Sequence, residues 1–313
     1  MRHINIPVFI PHLGCPNMCV FCNQRLISGQ MEFEKESVKR LIEEALATIA
    51  VDADVEIAFF GGSFTGVDRG LMIYLLDTAE EYVSLGRVSG IRLSTRPDYI
   101  SREILDILKR YTVKTIELGI QSMDDKVLCA SRRGHNAEIT REAGHLVCEY
   151  GFELIGQMMI GLPSANTVSE CQTAEAICEM GAVGARVYPT VVFKGTELFD
   201  MTNAGNYVPL DTESAVLRTK NVLAVFEKYG LPVIRVGLCA SENLASDDAV
   251  AGATHSAIGE LAMGELYYDV ICQELEKNKI IDSQVVIAIP RGETSKAVGQ
   301  KKRNAPILKE WYR

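Results

Sequence analysis

No run of apolar residues in this chain approaches the roughly 20 that a helix needs to cross a bilayer, so no membrane association is expected. The opening MRHINIPVF lacks the charged head, apolar stretch and small-residue cleavage site of a secretory leader, and the expected location is the cytoplasm. There is no internal repeat and no low-complexity linker. With 47% hydrophobic and 23% charged residues, the composition excludes disorder, collagen and a disulfide miniprotein. Nine cysteines, an odd number in a chain without a leader, are poor material for a disulfide framework. Neither a Ser-His-Asp order nor an HExxH motif is present, which leaves hydrolase mechanisms without support, and Gly-x4-Gly-Lys-Ser/Thr is missing. What remains is a globular chain of 313 residues, enough for one large domain or two small ones.

Charge is uneven. The net is −9, from 32 basic and 41 acidic residues, which argues against wholesale non-specific binding to nucleic acid. Residues 291–313 nevertheless hold Arg291, Lys296, Lys301, Lys302, Arg303, Lys309 and Arg313 against Glu293 and Glu310, a +5 tail on a −14 body. Cysteine is uneven too. Cys15, Cys19 and Cys22 crowd together, whereas Cys129, Cys148, Cys171, Cys178, Cys239 and Cys272 stand singly and read as structural thiols.

Hydrophobic periodicity gives strands at 4–10, 55–60, 91–94, 113–119, 152–160 and 185–192. Helices alternate with them at 34–50, 68–85, from Ser101 as N-cap, at 137–150 and at 167–180. Beyond 195 the rhythm loosens to a helix at 213–229, a strand at 232–238, a helix at 256–276 and a strand at 284–289. Such alternation implies a parallel sheet with right-handed crossovers, as an open doubly wound sheet or as an open or closed barrel. A boundary is placed at 238, dividing a core of 1–238 from an extension of 239–313.

In parallel α/β folds, chemistry clusters where strands end and the next helix has not begun. The segment HLGCPNMCVFCNQ follows the first strand, and its Cys-x3-Cys-x2-Cys spacing lets three thiolates converge on one metal centre. A structural zinc would need a fourth ligand, for which His12 is nearest; an iron–sulfur cluster leaves a position open.

Three cysteines so spaced after the first strand resemble the signature of the radical S-adenosylmethionine (radical SAM) superfamily. The resemblance implies a partial (β/α)6 barrel with a short C-terminal α/β extension. It also implies a 4Fe-4S cluster on Cys15, Cys19 and Cys22, and S-adenosylmethionine bound at the cluster's fourth iron. The bound cofactors would generate a 5′-deoxyadenosyl radical, fed by an electron donor of flavodoxin or ferredoxin type. Later strand ends extend the likeness. Gly61, Gly62 and Ser63 match the family's Gly-Gly-Glu-type motif. STRPDY places Ser94 where members commonly carry glutamate, and Gln121, in ELGIQS, matches a cofactor-facing glutamine. Arg133 and His135 fall on the Arg-x-His of coproporphyrinogen-oxidase-like and Elongator-like members, the arginine being expected at the methionyl carboxylate. Gln157 precedes Gly161, Leu162 and Pro163, a Gly-Leu-Pro like that of coproporphyrinogen-oxidase-like members, and stands where they often carry aspartate.

The run from Gly134 to Pro163 is most like the Elongator-like branch. About 75 residues follow 238, too few for the acetyltransferase domain of Elongator's catalytic subunit, which is expected to be absent. Thr294, Ser295, Lys296 and the basic triplet beyond are the material of a phosphate- or RNA-binding turn, with a solvated basic tail as the alternative. His255 is a candidate substrate-side acid or base, or a structural histidine. RNA, above all tRNA, is the expected substrate class; a tetrapyrrole or other small molecule is the enzymatic alternative, and a non-enzymatic metal-binding protein the other.

Overall fold

The computed structural model describes residues 3–10, 13–15, 19–23, 33–50, 52–238, 248–279 and 285–311. One parallel sheet dominates. Its strands are β1 (His3–Ile10), β2 (Asp54–Gly61), β3 (Gly90–Thr95), β4 (Val113–Gln121), β5 (Glu153–Ile160), β6 (Gly184–Pro189) and β8 (Val233–Val236). A separate antiparallel pair joins β7 (Val191–Phe193) to β9 (Ala249–Gly252). The helices are α1 (Val38–Leu46), α2 (Arg69–Ser84), α3 (Arg102–Leu108), α4 (Asp125–Ala130), α5 (Ala137–Glu149) and α6 (Thr167–Glu179). They continue with α7 (Glu197–Asn203), α8 (Thr212–Tyr229), α9 (Ile258–Lys277), α10 (Thr294–Val298) and α11 (Asn304–Trp311).

Strand order settles what periodicity left open. The strands neighbour one another in chain order, β1 through β6 and then β8, with no reversal. A doubly wound sheet reverses direction at a switch point, and the reversal puts helices on both faces. Right-handed crossovers that all advance one way put the helices on one face, so the sheet curls away from them into a partial barrel.

Each strand therefore has an outer, helix-covered face and an inner face towards a lumen. Ile6, Ile57 and Ile91 stand in register on the outer face, as do Val8, Phe59 and Leu93. All six are buried with Leu75 and Leu76 of α2 and Leu105 of α3. Full burial of such a side chain contributes roughly 1.5–3 kcal/mol. The adjacent methionines divide between the faces: Met158 is fully buried in the core, while Met159 points inward and is half-buried.

The inner face carries charge. Arg92 Nε donates to Glu56 at 3.0 Å and its Nη1 to Glu117 at 3.2 Å. Across the lumen, Arg186 Nη2 donates to Glu117 at 3.1 Å and Nε stands 2.9 Å from the other carboxylate oxygen. His3 of β1 extends the belt, with Nδ1 3.0 Å from Asp54.

Several sequence expectations need correction. The strand expected over 185–192 is two: β6 ends at Pro189, which has no N–H to donate, Thr190 turns the chain, and β7 pairs with β9 instead. The expected strand 284–289 does not form among the described residues 285–290, where Val286 is 99% exposed. A β-prone run needs a partner strand, and among the described residues this one has none. The helices α4, α7, α10 and α11 were not expected, because each is too short to display a period. The helix from Ser101 holds, with Ser101 Oγ accepting the N–H of Ile104 at 3.3 Å.

The extension is fastened to the core. Helix α9 packs on α8 through Ala215, Val216, Leu223, Ile258 and Ala262, and Lys220 reaches Asp269 at 2.6 Å. The buried Asn304 amide then donates to the carbonyls of Gly264 (2.9 Å) and Ala297 (3.0 Å), pinning α10 and α11 onto α9. No helix among the described residues is long and apolar enough to cross a membrane.

Candidate active site

The cysteine segment leaves β1 and folds back over the end of β2. Gly62 donates its N–H to the Ile10 carbonyl at 2.8 Å and Ser63 to the Leu13 carbonyl at 2.9 Å. The two backbones touch: a Cβ on Gly62 would stand 2.0 Å from Leu13 O, and one on Gly14 2.2 Å from Ser63 O. Glycine at both positions is a steric requirement for placing the cysteines above the sheet.

Polar ties then run from strand to strand. The Ser63 hydroxyl sits 2.8 Å from that of Thr95 and accepts the N–H of Arg96 at 3.2 Å. Arg96 forks onto Asp98, Nε to Oδ1 at 2.9 Å and Nη2 to Oδ2 at 2.8 Å, and Nη2 also donates to the carbonyl of Arg133. Arg133 in turn donates through Nη2 to Gly119 O and through Nη1 to Cys19 Sγ at 3.2 Å. Val20 donates to the Ser131 carbonyl just past α4, and Leu198 of α7 donates to the Val20 carbonyl. The two unanticipated short helices thus brace the segment.

Cys19 is buried, and Cys15 and Cys22 are half-buried. No disulfide joins any of the described cysteines. Burial pushes the Cys15 thiol up, while the charges of Arg96 and Arg133 pull it down. Gln121 ends β4 at a bulge with φ +67°, a conformation costly for a residue with a Cβ, and its side chain is buried. His135 is neutral at pH 7, because burial and then the Arg133 charge push its imidazole down to about 4. Its Nδ1 lies 3.2 Å from Thr140 Oγ1.

Seven buried side-chain polar atoms lack a hydrogen-bond partner among the described residues, and five lie here: Arg96 Nη1, Gln121 Oε1, Ser131 Oγ, Arg133 Nε and His135 Nε2. Buried polar groups left so cost free energy unless something else meets them. The concentration marks a place built for a polar ligand.

The structure brings together Cys15, Cys19, Ser63, Gln121 and Arg133 of the expected set, with Gly61 and Gly62 as backbone. Gln157 and Ser94 sit lower on the inner face, Gln157 in register with Gly119 and Arg186, and Ser94 with Glu117. His12 and Cys239 lie outside the described residues. Of the scattered thiols, Cys129 is exposed, and Cys148, Cys171 and Cys178 are half-buried rather than fully buried. His255 accepts the N–H of Ala257 at 3.1 Å just ahead of α9, a structural contact. Lys296 is ion-paired with Glu293 and Arg303 with Glu265, which leaves Lys301 and Lys302 as the exposed cations of the turn. Sequence reasoning missed Arg96 and Asp98, although both stand in the STRPDY stretch, where attention fell on Ser94.

Among the described residues no three of His, Cys, Asp or Glu converge tightly enough to share a single ion. Residues 9–171 match the profile of the Radical SAM superfamily, and 182–268 that of the Radical_SAM C-terminal domain.

The chain belongs to the radical SAM superfamily. Its members are enzymes that use a 4Fe-4S cluster and S-adenosylmethionine and need an electron donor. A protein of Methanocaldococcus jannaschii is 31% identical over 238 residues, covering 72% of this chain and 73% of that one. Human Elongator complex protein 3 is 28% identical over 186 residues, 58% of this chain and 33% of the human protein, so the likeness spans about a third of the larger chain. The solved structure of Elp3 from archaeal Methanocaldococcus infernus superposes with a TM-score of 0.65 at 20% identity, over 88% of this chain and 63% of that one, and shows the shared fold.

Proposed function

We propose that Cys15, Cys19 and Cys22 hold the cluster over the strand carboxyl ends, and that S-adenosylmethionine binds beside it against Gly61, Gly62, Ser63, Gln121 and Arg133. Ser94 and Gln157 line the lumen below. The observation that carries this reading is the convergence of unpartnered buried atoms on the cysteine segment. When bound, the pair of cofactors supplies an electron and a carbon radical that takes hydrogen from substrate. The chain's own residues do the rest: Arg133 fixes Cys19, the glycines admit close approach of the ligand, and the charged belt closes the lumen floor. The core over 1–238 carries the chemistry and the extension over 239–313 buttresses it.

The substrate we infer is RNA, with tRNA as the first candidate. Two features support it: similarity to Elongator complex protein 3, and the +5 tail with Lys301 and Lys302 exposed. The electron donor is of flavodoxin or ferredoxin type. Anaerobic reconstitution with iron and sulfide, then dithionite and S-adenosylmethionine, is expected to release 5′-deoxyadenosine from wild type and none from Cys19→Ala; equal yields would refute the assignment. For RNA, the Lys301→Glu/Lys302→Glu double variant spares the buried Asn304 that truncation would remove. It is expected to weaken bulk tRNA binding and flatten its salt dependence, and unchanged affinity would eliminate the argument from charge.

A further inference from the structure

Arg96 is 4% exposed at the top of β3, and nothing in the cofactor chemistry outlined above requires it. Asp98 holds its Nε and Nη2 edge in a bidentate grip at 2.9 and 2.8 Å. The grip leaves Nη1 buried and without a partner. Arg96 Nη2 also donates to the carbonyl of Arg133, whose own guanidinium bonds Cys19 Sγ at 3.2 Å. The Arg96 backbone N–H bonds the hydroxyl of Ser63, whose N–H is tied to the Leu13 carbonyl, so Arg96 sits inside the knot that holds the cysteine segment. Asp98 is the more exposed end of the pair, its side chain 22% exposed against 4% for that of Arg96. The pair is therefore a dipole, its positive end against the cysteine segment and its negative end towards solvent.

We propose that Arg96, held in place by Asp98, sets the reduction potential of the iron–sulfur cluster, a role that rests on the cluster being carried by Cys15, Cys19 and Cys22. In the redox step one electron passes from the donor to the cluster, which goes from the 2+ to the 1+ state; no bond breaks and no proton moves. A fixed cation in a poorly solvated pocket favours the state with the extra electron, so it raises the potential. Arg133 supplies a second cation, bonded to Cys19 and Gly119. Arg96 differs in having a carboxylate that meters its charge, which gives the site a residue whose removal acts in the opposite direction. A purely structural tie between the loops after β3 and β4 would show no such sign reversal.

The test is an EPR-monitored redox titration of the reconstituted full chain, with dithionite as reductant and without S-adenosylmethionine. Iron and sulfide content is measured on every sample. Arg96→Gln is expected to lower the midpoint by about 59 mV, a tenfold change in the one-electron equilibrium. Arg96→Lys, which keeps the charge, stays close to wild type, and Asp98→Asn shifts the midpoint upward. Loaded variants with the wild-type potential, or Arg96→Gln and Asp98→Asn moving in the same direction, overturn the proposal. If Arg96→Gln folds but does not load, the sign for Asp98→Asn decides; if both fold and neither loads, the pair is a structural tie and the proposal fails. A wild type that takes up no iron and sulfide fails at the earlier step, the assignment of the cysteines, and takes the proposal with it.

Discussion

The floor and the rim of the lumen are built from the same kinds of residue, arginines beside carboxylates and amides, and they differ in what those residues meet. On the floor, Arg92, Arg186, Glu56 and Glu117 each have an opposite charge within 3.2 Å. At the rim, Arg96, Gln121, Arg133 and His135 each keep a buried atom with no partner. The floor is closed by ion pairs, with Arg186 Nε its one buried atom outside a hydrogen bond although 2.9 Å from Glu117, and explains a shape. The rim is open and explains a ligand. Burial of charge alone therefore does not locate function in this molecule; burial without satisfaction does.

Breaking the floor is expected to have the largest effect. Glu117→Gln leaves Arg92 and Arg186 buried against a neutral amide, and removing one partner of a buried ion pair costs about 3–5 kcal/mol. Urea unfolding of the apo-chain measures the loss, while iron per folded chain stays at the wild-type level. A variant that kept its stability but lost iron would reverse the roles assigned to floor and rim.

His135 sharpens the contrast through pH. Its folded value of about 4 lies below the ordinary histidine value of 6.5. The unfolded chain therefore takes up a proton that the folded chain refuses as pH falls through that window. The stability is fully present above pH 6.5 and is lost progressively towards pH 4, by about 3 kcal/mol at 1.36 kcal/mol per unit. Unfolding curves between pH 7.5 and 4 should show this slope in wild type and a shallower one in His135→Gln; identical slopes would place the imidazole in water.

The smallest effect is expected at Gln121. Its φ of +67° suits glycine, so Gln121→Gly should stabilise the chain by roughly 1 kcal/mol while weakening S-adenosylmethionine binding in a titration of the reconstituted protein. Such opposite movement is the mark of strain kept for function. Loss of stability with unchanged binding would make the residue ordinary scaffolding.

Much of the rim was legible because its chemistry constrains sequence locally: cysteines at fixed spacing, Gly61-Gly62 at a backbone crossing, and Arg133 two residues before His135. Arg96 escaped because its role depends on loops that meet only in space, after β3 and after β4. The floor escaped for a different reason. Glu56 lies inside the apolar run VEIAFF, and a single carboxylate there gives no sign that Arg92 will reach it from the next strand. Curling of the sheet was equally invisible to periodicity, since strands of doubly wound sheets and barrels alternate with helices alike, and only neighbour order tells them apart. The exposed run beginning at Val285 has strong strand propensity but, among the described residues, pairs with no strand.

The most direct test of the rim as the cofactor site is the EPR spectrum of the reconstituted, dithionite-reduced chain before and after adding S-adenosylmethionine. The account predicts a reduced 4Fe-4S signal that changes on addition, in wild type but not in Cys19→Ala, which gives no such signal. A wild-type spectrum unaltered by S-adenosylmethionine would contradict it.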